Sequence, residues 1–199
     1  MRLKKLKIEN FKGLQSFEFS PGGHDAVIRG DNGTGKTSLH DAWSWLLTGK
    51  DSSGRADFAV KPLDRDGNDR HGLDVIVEAM VDLDGTEKTL SKIYREKRTK
   101  KRGEAERTLT GHTTDHQIDG VPVQKKGWDA AIEAIAPANV LSAASPTAFM
   151  SLHWQRRREL IMDMAGDVPD AEIIGADPDL SALPDMLAGK PLSDGLKIA

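Results

Sequence analysis

Gly30-Asp31-Asn32-Gly33-Thr34-Gly35-Lys36-Thr37 fits the pattern G-x-x-x-x-G-K-[ST], the loop that cradles a polyphosphate. Each residue type in it has a chemical reason. Glycines let the backbone curl until successive N–H groups face one concavity. The Lys36 ammonium is a point charge able to reach β- and γ-phosphates, and the Thr37 hydroxyl can ligate Mg²⁺. A helix that starts here turns its positive end toward the same anion.

The flanks decide whether such a match is a working loop. Ala26-Val27-Ile28 precedes it, a short apolar run that reads as a buried strand. Leu39, Ala42, Trp43, Leu46 and Leu47 follow at i, i+3, i+4, i+7 and i+8, the stripe of one helix face. Gly49 stands where a helix C-cap belongs. The stretch is therefore expected to bind a nucleotide.

At 199 residues the chain has room for one substantial domain, or for one with an appendage. Its formal net charge of -3 leaves any nucleic-acid contact to a local basic patch. With no cysteine, disulfides and thiolate metal sites are excluded. The basic start Met1-Arg2-Leu3-Lys4-Lys5-Leu6-Lys7 never enters an apolar signal-peptide core, and no window reaches transmembrane length. A cytoplasmic protein without a membrane partner is expected.

Leu6 and Ile8 alternate with Lys5, Lys7 and Glu9, a strand with one buried face that Phe11 extends. Asn10-Phe11-Lys12-Gly13 turns the chain, and Phe17 and Phe19 mark a second strand before the loop. The polar stretch from Lys50 to Gly72 is a long connection of the kind that tends to be functional. Leu73, Val75, Val77, Ala79, Val81 and Leu83 then alternate, and Asp84-Gly85 signals a hairpin. The return strand covers about Glu87 to Arg98, a weaker one lies near Arg107–Thr110, and Asp119-Gly120 makes a second turn. The middle of the chain, about 73–123, reads as a β-meander. From Trp128 the period becomes helical: Trp128, Ala131, Ile132 and Ile135 form one face, ended by Pro137. Ser151 is the expected N-cap of a helix carrying Trp154, Arg157, Leu160, Ile161 and Met164, closed by Gly166. Beyond it lie pieces broken by Pro169, Pro178 and Pro184, and a helix start over Ser193 to Ala199.

Leu6-Lys7-Ile8-Glu9-Asn10-Phe11-Lys12 followed by the loop, with Asn32 at its extra position, resembles the N-terminal ATPase half of SMC, RecF, RecN and SbcC-type proteins. Pro146-Thr147-Ala148-Phe149 with Arg157, Leu160 and Gly166 is similar to the segment leading to their coiled coil. Trp45–Asp66 and the region from Gly111-His112-Thr113-Thr114 to Val123 look like phage and bacterial ATP-binding members. The resemblance covers residues 1 to about 190, but one half of the family's ATPase head. It implies an α/β fold, with a mixed sheet, a P-loop helix, a β-meander and C-terminal helices. The ATPase N-lobe is expected over 1–166, and a turn-rich extension toward a truncated or absent coiled coil over 167–199. ATP and Mg²⁺ are the implied cofactors. A C-terminal lobe with the signature motif and Walker B carboxylates, a head-to-head dimer, DNA and a nuclease subunit are the implied partners. The implied setting is the cytoplasm of a bacterium or phage-infected cell, and the implied work double-strand break repair or recombination. Carried over by position, Gly30, Gly33, Thr34, Gly35 and Lys36 hold phosphate and Thr37 the Mg²⁺. Ser38 touches the α-phosphate, Asn32 senses the γ-phosphate at the dimer face, and Lys12 contacts the nucleotide.

The sequence departs from that pattern in three places. Apolar runs ending in Glu78 and Asp82 imitate Walker B, yet their alternation and the Asp84-Gly85 turn read as a hairpin strand. Leu141-Ser142-Ala143-Ala144 lacks the glycines of the signature motif. The Q-loop glutamine should fall near Ser142–Ser145, whereas Gln155 lies beyond, on a helix. No catalytic base is assigned. Two other readings stay open: a small-molecule kinase with Arg156–Arg158 as lid arginines, and a nucleotide-binding interaction module that never hydrolyses. The run Lys92, Arg95, Lys97, Arg98, Lys100, Lys101 and Arg102 reads as a DNA-phosphate contact or a charge-protected strand edge. His112 and His116 carry a helical metal-pair spacing inside a segment that reads as strand and turn. Trp43, Trp45 and Trp154 are expected to pack in a core or between lobes.

Overall fold

The structure is a computed structural model that describes residues 1–99, 108–137, 140–141, 145–166, 170–180, 182 and 185. The chain forms two compact units, Met1–His153 and Trp154–Ala199. The first unit holds a six-stranded antiparallel sheet in the order β2-β1-β3-β4-β5-β6. Its strands are β1 (Arg2–Phe11), β2 (Leu14–Phe19), β3 (Val75–Leu83), β4 (Thr86–Thr99), β5 (Thr108–Ile118) and β6 (Val121–Val123). The meander is confirmed, because β3 to β6 are consecutive neighbours. Both Asp-Gly turns have φ above zero at both residues, 53° and 91° at Asp84-Gly85 and 52° and 76° at Asp119-Gly120. That geometry matches the twist of a two-residue hairpin.

Strand alternation sends Leu6, Ile8, Val75, Val77, Ala79, Val81 and Leu90 to one face of the sheet, where they join one core. Asn10, at φ 55°, breaks the alternation in β1, so Phe11 joins that core and is fully buried. Helix α1 (Lys36–Thr48) covers the face with Leu39, Ala42, Trp45, Leu46 and Leu47, and α2 (Lys125–Ile135) adds Trp128 and Ile132. As expected, α1 ends on Gly49 at φ 75°, whose N–H donates to the Trp45 carbonyl at 2.9 Å.

A short helix, α3 (Pro146–Ser151), follows, and Ser145 is its N-cap. Here the sequence reading needs correction. Ser151 does not start the next helix; it ends α3, its hydroxyl donating to the Ala148 carbonyl at 2.7 Å. In the second unit α4 (Trp154–Ala165) stops before Gly166 at φ 84°, and α5 (Asp170–Ala176) leads into a 3₁₀ turn, Pro178–Leu180. Trp154 is not a core residue: it is 58% exposed. Pro169, Pro184 and Ser193–Ala199 lie outside the described residues, as do Ser142–Ala144 of the signature-like stretch and Lys100–Arg102 and Arg107 of the basic region.

The Ala26–Ile28 run also differs from expectation. It lies in no strand, and Val27 and Ile28 are 80% and 44% exposed. The physical reason is pairing: no described strand lies beside it to accept its backbone or cover its side chains.

Candidate functional site

Gly35, at φ 93°, turns the chain from the loop into α1. A Cβ there would meet Leu14 Cδ2 at 2.9 Å, so β2 packs directly against the loop. The first helical bond runs from Leu39 N–H to the Gly35 carbonyl. The N–H groups of Lys36, Thr37 and Ser38 precede it and are donors that no turn of helix can satisfy. Lys36 Nζ reaches back across the loop and donates to the carbonyls of Gly30 and Asp31, 2.6 Å each. Thr34 Oγ1 donates to the Asp31 carbonyl at 2.8 Å and closes the turn. Asn32 and Gly33 form an exposed tip, and the Thr37 side chain faces solvent at the helix start. A cleft of about 350 Å³ opens here, walled by Leu14, Phe17 and Ile28 and floored by Gly30, Thr34 and Lys36. Positive charge, free N–H donors and a concave backbone thus meet in one place, the requirements of a phosphate site.

Lys12 is the one predicted ligand outside the loop and the helix that follows it. It sits in the β1–β2 turn at φ 49°, with its N–H donating to the Val60 carbonyl at 2.9 Å. Its ammonium pairs with Asp41 Oδ2 at 2.6 Å and lies 4.8 Å from the centre of the Phe58 ring. Asp41 stands four residues after Thr37 on α1 and three after Ser38, which places it on the same helix face one turn on. Lys12 thereby meets α1 one turn beyond Thr37 and Ser38. It lines a second cleft, of about 590 Å³, with Gly13, Gln15, Arg55, Phe58 and Arg70. Leu14 lines the first cleft, and its chain neighbours Gly13 and Gln15 line the second.

The AAA domain family matches residues 5–156. The chain belongs to this family. Among solved structures, this AAA domain is similar to the recombination mediator protein RecF with ATPrS bound in the RecFOR pathway. That match has 19% identity and a TM-score of 0.43, over 63% of this chain and 28% of the other. A second RecF structure, with ATP, gives 15%, 0.44, 83% and 47%. The SMC head domain from Thermotoga maritima gives 21%, 0.40, 66% and 42%. The AAA domain thus spans less than half the length of each of these structures. No curated protein matches it.

The Walker B imitations in this AAA domain are structural. Glu78 pairs across from Lys7 and Ser91 in mid-sheet, and Asp82 Oδ1 accepts from Gly85 N–H at 2.8 Å to hold the hairpin turn. His112 and His116 lie on β5, where four residues span about 13 Å, too far to share an ion. His112 stacks on Tyr94 and His116 packs on Trp128. Among the described residues no group of three or more His, Asp or Glu is placed to hold a metal, and no helix is long and apolar enough to cross a membrane. The Thr37 hydroxyl, exposed at the helix start, is the kind of oxygen donor that suits an ion bound mainly through phosphate oxygens and water.

The basic run is not a uniform stripe. Lys92 is buried, donating to the Trp45 carbonyl at 2.6 Å between the Trp45 and Trp128 rings. Arg95 pairs with Asp74 at 3.0 Å and Asp115 at 3.3 Å, and Arg98 with Glu96 at 2.8 Å. Lys97 is exposed. Of the proposed lid arginines, Arg156 pairs with Glu159 at 2.8 Å on its own helix.

Sequence reasoning missed the roles of two acids, Asp41 and Glu96. Asp41 carries the side chain that meets Lys12, and its only signal was a charged residue inside the apolar stripe of α1. Glu96 accepts from Lys61, His71 and Gly72 and anchors the 50–72 connection to β4; it was hidden in a run read as basic.

Proposed function

We propose that this AAA domain binds ATP with Mg²⁺ at residues 30–37 and hydrolyses it when a complementary C-terminal lobe completes the site. In that reading it is the N-terminal lobe of an SMC/SbcC-type ATPase acting in double-strand break repair or recombination, in the cytoplasm of a bacterium or phage-infected cell.

The observation that carries the reading is Lys36 held across the loop mouth by two backbone carbonyls at the start of α1. An anion at that point meets an ammonium, unpaired helix N–H groups and the helix dipole together. Lys36 then exchanges carbonyl acceptors for phosphate oxygens, and Asn32 at the exposed tip is free to meet a γ-phosphate from a second head. When bound through Thr37, Mg²⁺ supplies charge neutralisation between phosphate oxygens.

Hydrolysis also needs a positioned water and stabilisation of the charge that develops on phosphoryl transfer. Of the acids nearest the loop in sequence, Asp41 is engaged by Lys12. The exposed apolar run Ala26–Ile28, directly before the loop, supports a partner strand from outside this unit. Adding a candidate C-terminal lobe, joined or separate, should raise phosphate release from ATP well above that of either part. Unchanged release with ATP still bound would favour the interaction-module reading instead.

A further inference from the structure

Asp41 is nearly fully buried at 4% exposure, yet it is charged and spends both oxygens on defined donors. Oδ2 accepts from Lys12 Nζ at 2.6 Å. Oδ1 accepts from the Ser52 hydroxyl at 2.6 Å and from the Ser52 N–H at 2.9 Å. Ser52 is fixed in turn. Its carbonyl accepts from Ser145 Oγ at 2.8 Å, and its neighbour Asp51 is tied down by Ser53, Arg55 and Ser44. The carboxylate therefore cannot rotate without breaking bonds to two chain segments, the β1–β2 turn through Lys12 and the 51–55 turn through Ser52.

A lysine stem has four rotatable bonds and loses much of its rotamer freedom when fixed. An ammonium that must meet a ligand gains from a partner that fixes it beforehand. Lys12 enters from a different strand turn, and Asp41 is its only ion-pair partner among the described residues. The carboxylate sits one turn along α1 from Thr37 and Ser38, on the face that carries them.

From these bonds we infer that Asp41 is a positioning residue for Lys12, holding its ammonium one turn along α1 from Thr37 and Ser38 so that it meets the bound nucleotide, with Ser52, itself held by Ser145, bracing the carboxylate. The inference rests on the proposed binding of ATP at residues 30–37 and on Lys12 touching that nucleotide, the role the family resemblance implies for it. A competing role is available to the same atoms: Asp41 could sequester the ammonium and weaken binding. The two roles predict opposite signs.

The test is a double-mutant cycle on ATP affinity, measured by calorimetry with Mg²⁺ on the full chain. Lys12→Ala should weaken ATP about tenfold, the loss of one charge-assisted contact. Asp41→Asn should weaken it by a similar factor, and the double variant by no more than Lys12→Ala alone. Ser52→Ala, which removes one donor to Oδ1 and leaves the ion pair in place, should weaken ATP a few-fold in the parent and not at all in Lys12→Ala. It also serves if Asp41→Asn fails to fold. Additive losses would mean that Asp41 acts only on the fold, and tighter binding in Asp41→Asn would mean sequestration; either overturns the inference. If Lys12→Ala leaves affinity unchanged while Lys36→Ala abolishes it, the Lys12 contact fails and the loop assignment stands.

Discussion

Lys92 donates to the carbonyl oxygen of Trp45 at 2.6 Å, deep between the indole rings of Trp45 and Trp128. A sheet lysine thus shares the last turn of the phosphate-loop helix with the Gly49 cap. Its ammonium has no carboxylate partner among the described residues, and burial first, then the nearby Lys125, pushes its pKa down from 10.5 to about 7, with Asp129 opposing.

That shift fixes a pH dependence. Between about 7 and 10.5 the unfolded chain keeps the proton on Lys92 while the folded chain has lost it. Stability therefore rises with pH across this window, and the cost of the buried charge is greatest below it. Lys92→Met should be more stable than the parent at pH 6, with the advantage shrinking toward pH 10. Urea unfolding at four or five pH values measures it; an advantage independent of pH would show that the charge is not the cause.

Glu96 behaves in the opposite sense. The hydrogen bond from Lys61 holds its carboxyl well below the ordinary 4.5, against burial, with Arg98, His71 and Gly72 adding to the effect. Its contribution is present above that ordinary value and is lost as pH falls through the lowered one. Glu96→Ala leaves the Lys61 ammonium, 2% exposed, without its partner, and should cost about 3–5 kcal/mol. Chemical denaturation at neutral pH reads this directly.

Gly35→Ala should injure the loop twice. The backbone at φ 93° disfavours any side chain, and the new methyl meets Leu14 Cδ2 at 2.9 Å. The conformational part alone costs about 1–2 kcal/mol. Adding Leu14→Ala should recover some ATP affinity by removing the contact, without restoring the parent value. Full recovery would assign the whole effect to the clash.

Much of this was legible in the chain. The alternation from Leu73 to Leu83 and the two Asp-Gly pairs specify the meander, because period-two burial and positive φ at both turn residues are local properties. The stripe through Leu39, Ala42 and Leu46 and the cap at Gly49 gave α1 for the same reason. What failed depends on distant partners. Ala26–Ile28 looks like a strand by composition, but a strand exists only where another pairs with it. Lys92 reads as a solvated lysine until α1 and α2 fold over its face of the sheet. Asp41 and Glu96 acquire their roles from residues 29 and 35 positions away. Ser151 and Ser145 are equally good N-caps in isolation, and Pro146 after Ser145 was the overlooked sign.

The central claim is that residues 30–37 grip the phosphates of ATP through Lys36. Titrating ATP with Mg²⁺ into the chain and into Lys36→Ala tests it most directly. Saturable binding in the parent, weakened roughly 10- to 100-fold by loss of the charge-assisted contact in a variant that still unfolds cooperatively, is the predicted result. Equal affinity in the two proteins would contradict it.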